Sequence, residues 1–191
     1  MKLFKENFKL LVFVLLCSVM PYKSTPQSIE KMPDNNWWTL SNLNLDIPGS
    51  YCYNDSIMNC QKYGRLYTWE AAQNGCSLLD DGWHLPSTAE WNNLLEHFGG
   101  AFEESISNGK NAFEELLRTE KPTFGATLGG NRNTDGTYSR IEAHGFYWTS
   151  TIFDDSSAGF LNFANGRKVL FLQPDMEKND AISLRCIKNS Q

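Results

Sequence analysis

This chain of 191 residues predicts a single α+β domain, and three observations carry that reading. A strand-like segment near residue 37 is followed by two or three helical patterns. Beyond Pro122 the texture changes to short β-branched and aromatic runs broken by Gly, Asn and Asp. Between two of those runs stands Asn165-Gly166, the strongest two-residue hairpin signal in the chain. Hydrophobic residues make up 41% and charged residues 20%, which is too apolar and too weakly charged for a disordered polymer. The length excludes two large domains.

The first segment is read as a targeting signal. Lys2, Lys5 and Lys9 precede an apolar run over residues 10–20, which together form the charged and hydrophobic regions of a secretory signal peptide. A run of 11 residues falls short of the roughly 20 that span a bilayer. A buried core helix is the competing reading, and the basic flank and the Pro/Ser/Thr-rich stretch after it argue against that. We expect a signal peptide at 1–22, a linker at 23–35 and the folded domain at 36–189, hence a secreted or cell-surface protein. No small-x-small cleavage site stands out. Cys17, toward the end of the apolar run, is where a lipid could be attached, but Leu16 is bulkier than a lipoprotein cleavage site prefers, so membrane contact is expected only with a lipid on Cys17. Net charge is −5, and −7 once residues 1–20 are removed, the wrong sign for neutralising phosphates. No nucleic-acid partner is expected.

Within the domain, Trp37-Trp38-Thr39-Leu40 and the alternation through Leu43 and Leu45 predict a first strand. Thr68 is a candidate N-cap for a short helix over 69–74 that ends near Gly75-Cys76. Ser87 and Glu90 form a capping box, and Trp91, Leu94, Leu95 and Phe98 repeat at helical spacing before Gly99-Gly100, which predicts a helix over 87–98. Residues 110–118 predict a third, with Phe113, Leu116 and Leu117 inward. Strands are expected at 123–128, 137–139, 146–152, 159–163, 168–172 and 182–187. No repeat of 20 to 50 residues is visible.

Setting Cys17 aside, Cys52, Cys60, Cys76 and Cys186 are an even number in a chain bound for an oxidising compartment, which reads as two disulfides with three possible pairings. Cys52–Cys60 with Cys76–Cys186 is the favoured set. The first would close a polar, turn-rich loop, and the second would join an early helix to the last strand. Zinc is disfavoured, because no C-x-x-C pair occurs and no His lies three to five residues from a Cys.

Several stretches taken together resemble the Fibrobacter succinogenes major paralogous domain family: Ser50-Tyr51-Cys52-Tyr53-Asn54, Tyr63-Gly64-Arg65-Leu66-Tyr67-Thr68-Trp69, Gly82-Trp83-His84-Leu85-Pro86-Ser87 with Glu90-Trp91, Phe146-Tyr147-Trp148-Thr149-Ser150-Thr151, and Ser183-Leu184-Arg185-Cys186. The helix-start motif is also similar to one in the formylglycine-generating enzyme family. That likeness implies a C-type-lectin-like fold, with two to three short helices on a small twisted, mostly antiparallel sheet. The resemblance implies an exported or surface module and carries no defined activity. The oxidases of the similar enzyme family hold copper with a cysteine pair in the C-terminal part of the fold, where this chain has Cys186 alone.

Chemistry-bearing constellations are sparse. Asn131, Asn133, Asp135, Gly136 and Glu142 match positions 1, 3, 5, 6 and 12 of a calcium loop, but an Asn replaces the leading Asp and no helix pair flanks it, so a structural hairpin is the stronger reading. His84 reads as a packing residue, His97 as a helix-terminal one, and His144 as a loop residue. Nucleophile elbows and phosphate loops are absent. Asp154 and Asp155 are neighbours that would face opposite ways on a strand and mark a loop tip. Trp37, Trp38, Tyr147 and Trp148 could stack on sugars but read better as core. The expectation is a non-catalytic exported module without cofactor or metal. Its loops between Phe124 and Asn165, with Asn131, Arg132, Asn133, Asp135, Asp154 and Asp155, would meet a polysaccharide or a surface protein. The alternatives are a formylglycine-generating-type oxidoreductase or a purely structural, adhesive domain.

Overall fold

A computed structural model describes residues 27–102, 109–118 and 124–190. The expected signal peptide, Cys17 and the start of the linker lie outside these residues. The described chain is α+β, with four α-helices, small antiparallel sheets and two disulfides.

Strands β1 (Ile29–Lys31) and β2 (Trp37–Thr39) open the domain, followed by β3 (Ser50–Tyr51), a 3-10 turn at Tyr53–Asp55, α1 (Ile57–Tyr63), β4 (Leu66–Tyr67) and α2 (Trp69–Ser77). After β5 (Trp83–His84) come α3 (Thr88–Glu96) and α4 (Lys110–Leu117). The C-terminal half holds β6 (Asn131–Arg132), β7 (Tyr138–Ser139), β8 (His144–Ile152), β9 (Ser157–Ala164), β10 (Val169–Glu177) and β11 (Ile187–Lys188). One four-stranded sheet runs β1-β2-β11-β5, which places the two ends of the domain side by side. A three-stranded meander runs β10-β9-β8.

The meander divides the interior in two, because successive side chains of a strand point to opposite faces. Tyr147, Leu161, Phe163 and Leu170 pack against Trp91, Leu94 and Leu95 of α3 and Phe113 and Leu116 of α4. Phe146, Trp148, Ala158 and Phe160 face the other way, onto Ala71, Ala72 and Cys76 of α2 and onto Leu184 and Cys186. Each fully buried Leu or Phe contributes about 1.5–3 kcal/mol of transfer free energy, so the long β8 and β9 are held from both faces.

The helix signals act as read. Thr68 accepts the Ala71 N–H at the start of α2, and Ser87 and Glu90 complete a reciprocal capping box at the start of α3. Cys52 pairs with Cys60, and Cys76 on α2 pairs with Cys186 beside β11. The second crosslink spans 110 residues, a loop for which chain entropy gives about 4–5 kcal/mol.

Four expectations are corrected. The stretch read as linker over 23–35 contains β1, which pairs with β2 through Ile29↔Thr39 and Lys31↔Trp37, so ordered structure begins before residue 36. Its side chains are largely exposed, and backbone pairing without a buried face leaves no hydrophobic pattern to read. Helix α1 lies where a turn-rich loop was expected, and it buries only Cys60 and Tyr63. Residues 124–129 form no regular strand; instead Ala126 donates to Leu116 O and Thr127 donates to the Tyr147 hydroxyl. Asn165-Gly166 belongs to a four-residue connection between Ala164 and Val169, with Lys168 at positive φ, and is no two-residue turn.

Arg185 joins these parts. It is fully buried, and its guanidinium donates to four neutral oxygens: Asn42 Oδ1 at 2.7 Å, and the carbonyls of Thr39, Phe124 and Gly125 at 2.8 Å each. The Phe124 ring lies 4.5 Å from the cation. Burial pushes the guanidinium down to about 10, so it remains charged at neutral pH. Arg185→Met leaves these oxygens without their donor, and we expect a loss of at least about 3 kcal/mol in urea unfolding. Arg185→Lys, with three donors for four acceptors, should lose about 2 kcal/mol. Unchanged midpoints in both variants would refute this role.

Candidate functional site

The site is assembled around the turn after β10. Backbone groups pin this turn on two sides: Trp69 N donates to Lys178 O at 3.0 Å, and Lys178 N donates to Ser156 O at 2.8 Å. The start of α2, the loop between β8 and β9 and the turn over residues 177–180 thereby enclose a cleft of about 590 Å³. One wall is the Trp69 indole, fixed by its Nε1–H bond to Thr149 O at 2.9 Å. Glu70, Asp155 and Glu177 bring carboxylates to the cleft, and Ser156, Lys178 and Asn179 bring donors. The Lys178 ammonium donates to Asp154 O at 2.7 Å and Asp155 O at 3.1 Å, and it lies 5.0 Å from the Trp69 ring centre.

The loop that carries Asp155 is closed by Asp154. Its Oδ1 accepts from the backbone N–H of Ser157 at 2.7 Å and from both the N–H and the hydroxyl of Ser156. Bonds from Ser157 and then Ser156 hold its carboxyl down to about 2. Just before it, Ile152 and Phe153 project, each 59% exposed.

The hairpin of β6 and β7 flanks the same turn. Thr134 donates from its N–H and hydroxyl to Asp180 and from its hydroxyl to Glu177, while Arg132 and Ala181 exchange backbone bonds. Arg132 lays its guanidinium over Tyr51 at 4.1 Å, with Tyr138 at 5.9 Å. Gly130, at φ 67°, lets the entry to β6 lie close against β7, where a Cβ would stand 2.4 Å from Ser139 O.

The calcium-spaced residues act individually, within the hairpin and, for Glu142, toward α1. Asn131 is buried and bonds Asn133 and Ser139; Asp135 accepts from Thr137; Glu142 accepts from Tyr63 at 2.6 Å and from Lys62. Among the described residues no cluster of three or more His, Cys, Asp or Glu is arranged to hold a metal ion. Thus Asp155 alone of the six candidate positions lines the cleft. Asp154 closes its loop, and Asn131, Arg132, Asn133 and Asp135 belong to the adjoining hairpin. Trp38, Tyr147 and Trp148 are fully buried, whereas Trp37 is 39% exposed on β2.

The histidines lie apart from the cleft's lining. His144 Nδ1 is 2.9 Å from Asn162 Oδ1, and its ring stacks on Phe146. His84 Nε2 meets Glu90 Oε1 at 2.9 Å, so the carboxylate that caps α3 also holds the imidazole.

Sequence reasoning missed Trp69, Glu70, Glu177, Lys178 and Asn179 as a group. The polar run over 177–180 marks a turn, but nothing local announces that it meets the start of a helix some 110 residues earlier.

The family model of the Fibrobacter succinogenes major domain matches residues 5–188. The chain belongs to that family. No curated protein and no solved structure matches it. Most of the motif residues behind the family resemblance hold the fold: Ser87 and Glu90 cap α3, Trp91 and Trp148 fill the interior, and Arg185 and Cys186 tie the ends together. Of the cleft's lining, only Thr68 and Trp69 fall within those motifs.

Two pH responses follow. The Glu90 hydrogen bond raises His84 above its ordinary 6.5. Burial alone would raise Glu90, but the bonds from His84 and Ser87 outweigh it and leave the carboxyl below 4.5. A raised His stabilises below its unfolded pKa and loses that contribution as pH rises through the folded value. A lowered Glu stabilises above its unfolded pKa and loses that contribution as pH falls through the folded value. The stability difference between the protein and its His84→Ala variant should therefore be largest between pH 4.5 and 6.5 and shrink on either side. A flat difference in thermal unfolding across this range would contradict the pairing.

For Asp154, carboxyl NMR should show a midpoint near pH 2, with the loop bonds intact above 3.8 and lost as pH falls through that midpoint. A midpoint at 3.8 would mean that the Ser156 and Ser157 bonds do not form in solution.

Proposed function

We propose that this chain is an exported, non-catalytic module that binds a neutral polysaccharide in the cleft beside Trp69. The observation that carries the reading is the lining of that cleft, where an anchored indole stands among carboxylate acceptors and an ammonium donor. A sugar ring offers hydroxyl groups of both hydrogen-bonding senses and an apolar C–H face, and this lining meets each of them. Lys178 spends two of its three N–H groups on backbone carbonyls, which leaves one for a ligand. About 590 Å³ falls within the roughly 300–1,000 Å³ of small-molecule sites. Three carboxylates against one ammonium disfavour an acidic polysaccharide. The cleft's concavity and polarity fit a glycan chain better than a flat protein face.

The two disulfides accord with an oxidising compartment. No helix among the described residues is long and apolar enough to cross a membrane. The C-type-lectin-like fold belongs to this proposal, supported by the stapled α+β build and by binding loops gathered beyond one end of the meander.

Titration calorimetry against a panel of neutral polysaccharides tests the reading. Glu70→Ala and Asp155→Ala should each weaken binding about tenfold, the cost of one hydrogen bond to a charged group, with the unfolding midpoint unchanged. Failure to bind any neutral glycan, or binding indifferent to both substitutions, would overturn it.

A further inference from the structure

Asn-Gly occurs three times in the chain, and the fold treats two of these pairs in opposite ways. Asn74-Gly75 lies inside α2, where Gly75 is buried and a Cβ on it would stand 2.9 Å from Leu43 Cδ2. Asn165-Gly166 lies in the connection between β9 and β10, whose four residues are all exposed. Apart from its chain neighbours, no heavy atom comes within 4 Å of the place a Gly166 Cβ would take. The third pair, Asn108-Gly109, has its Asn outside the described residues.

An Asn-Gly pair can react with itself. The backbone nitrogen of Gly, on losing its proton, attacks the Asn side-chain carbonyl carbon and forms a C–N bond. The bond to the side-chain amide nitrogen breaks, ammonia leaves, and a five-membered succinimide closes. Water then opens the ring at either carbonyl, which gives Asp or isoAsp. One water enters and one ammonia departs, with no oxidation or reduction. Glycine favours the attack because no Cβ crowds its nitrogen. A helix prevents it, because the Gly75 N–H is committed to the carbonyl four residues back and the backbone is held in one conformation. In the exposed connection these restraints are missing. The Gly166 N–H has no hydrogen-bond partner among the described residues, and the Asn165 side chain is tethered by one bond of 3.2 Å from Nδ2 to Glu142 O.

We infer that Asn165 is a self-modifying site: in the folded protein it converts without an enzyme to Asp and isoAsp, while Asn74 stays intact. The product alters its surroundings. A carboxylate cannot donate to Glu142 O, and it places negative charge beside that carbonyl. The iso linkage adds one backbone atom to a connection that joins Ala164 to Val169 at a fixed register. Asn165 N donates to Ala143 O at 3.0 Å, so the change also reaches the start of β8.

Prolonged incubation of the purified protein, with its disulfides intact, in ¹⁸O-labelled water at neutral pH, followed by peptide mass mapping, tests the inference. The peptide carrying residue 165 should show an amide-to-acid exchange with one ¹⁸O incorporated, isoAsp exceeding Asp, and a rate that rises with pH. The peptide carrying Asn74 should lag by at least tenfold. Gly166→Ala fits the open space at a position without positive φ, and it should slow conversion about tenfold while leaving the unfolding midpoint unchanged. An Asn165 that stays amidated while a synthetic peptide of residues 160–170 converts would overturn the inference. Equal rates at 165 and 74 would do so too, since they would place the reaction in the unfolded chain, as would a rate indifferent to Gly166→Ala. Glycan binding plays no part in this readout, so the two proposals fail independently.

Discussion

A charge with no counter-ion among the described residues organises this fold. Arg185 is buried completely, and its hydrogen bonds all reach neutral oxygens, so backbone and amide dipoles do the work that a carboxylate does elsewhere. Burying an ion costs several kcal/mol even after relaxation, and only well-placed acceptors offset it. Those acceptors come from two separate segments: Thr39 at the end of β2 with Asn42 just beyond it, and the 124–125 stretch. The guanidinium is satisfied only with all of them in place, which couples these segments through Arg185. Asn42 extends the network by donating to Tyr63 O at 2.8 Å and to Thr127 Oγ1 at 3.0 Å.

Around this point the covalent and apolar terms reinforce one another. Cys186, next to Arg185, is tied to Cys76 on α2, and its N–H donates to the Thr39 hydroxyl. The segment that ends in β11 is thus fixed to β2 by the sheet, to α2 by the disulfide and to the 124–125 stretch by the guanidinium. With β8 and β9 buried on both faces over most of their length, the more exposed backbone lies in the connections. These are the loop over 153–156, the turn over 177–180 and the hairpin of β6 and β7, and they bond to one another. A rigid interior with clustered connections is the arrangement on which binding surfaces are commonly built.

The family resemblance and the candidate site occupy largely different residues, and the reason is physical. Residues that cap, crosslink or fill a core have few substitutes, because each loss leaves a cavity or an orphaned polar group. Of the cleft residues, Glu70 and Asp155 are exposed and fill no core position, whereas Lys178 ties its turn to Asp154 O and Asp155 O. Membership in the Fibrobacter succinogenes major domain family therefore describes a scaffold, and the lining of the cleft describes what this copy of it presents.

The sequence by itself determined whatever depends on near neighbours or on chemical identity. The Ser87–Glu90 capping box, the Thr68 cap, the apolar periodicity of α3 and the inward residues of α4 are local rules, and each was legible within a dozen residues. Both disulfides were legible too, since four thiols in an oxidising setting leave three pairings and loop properties favour one. Tertiary structure alone decided what depends on contacts across the chain. Strand β1 exists because β2 offers it a backbone edge, although its own side chains stay in the solvent. Helix α1 buries too little to show a periodic face. The segment over 124–129 gave up a strand because its carbonyls are needed by Arg185 and its amides by Leu116 O and the Tyr147 hydroxyl. The cleft is the clearest case, since Trp69 and Lys178 meet through a backbone hydrogen bond between residues 109 apart. Local propensity holds no record of such a meeting, because closing that distance is driven by the burial of the whole core and by no residue in the cleft.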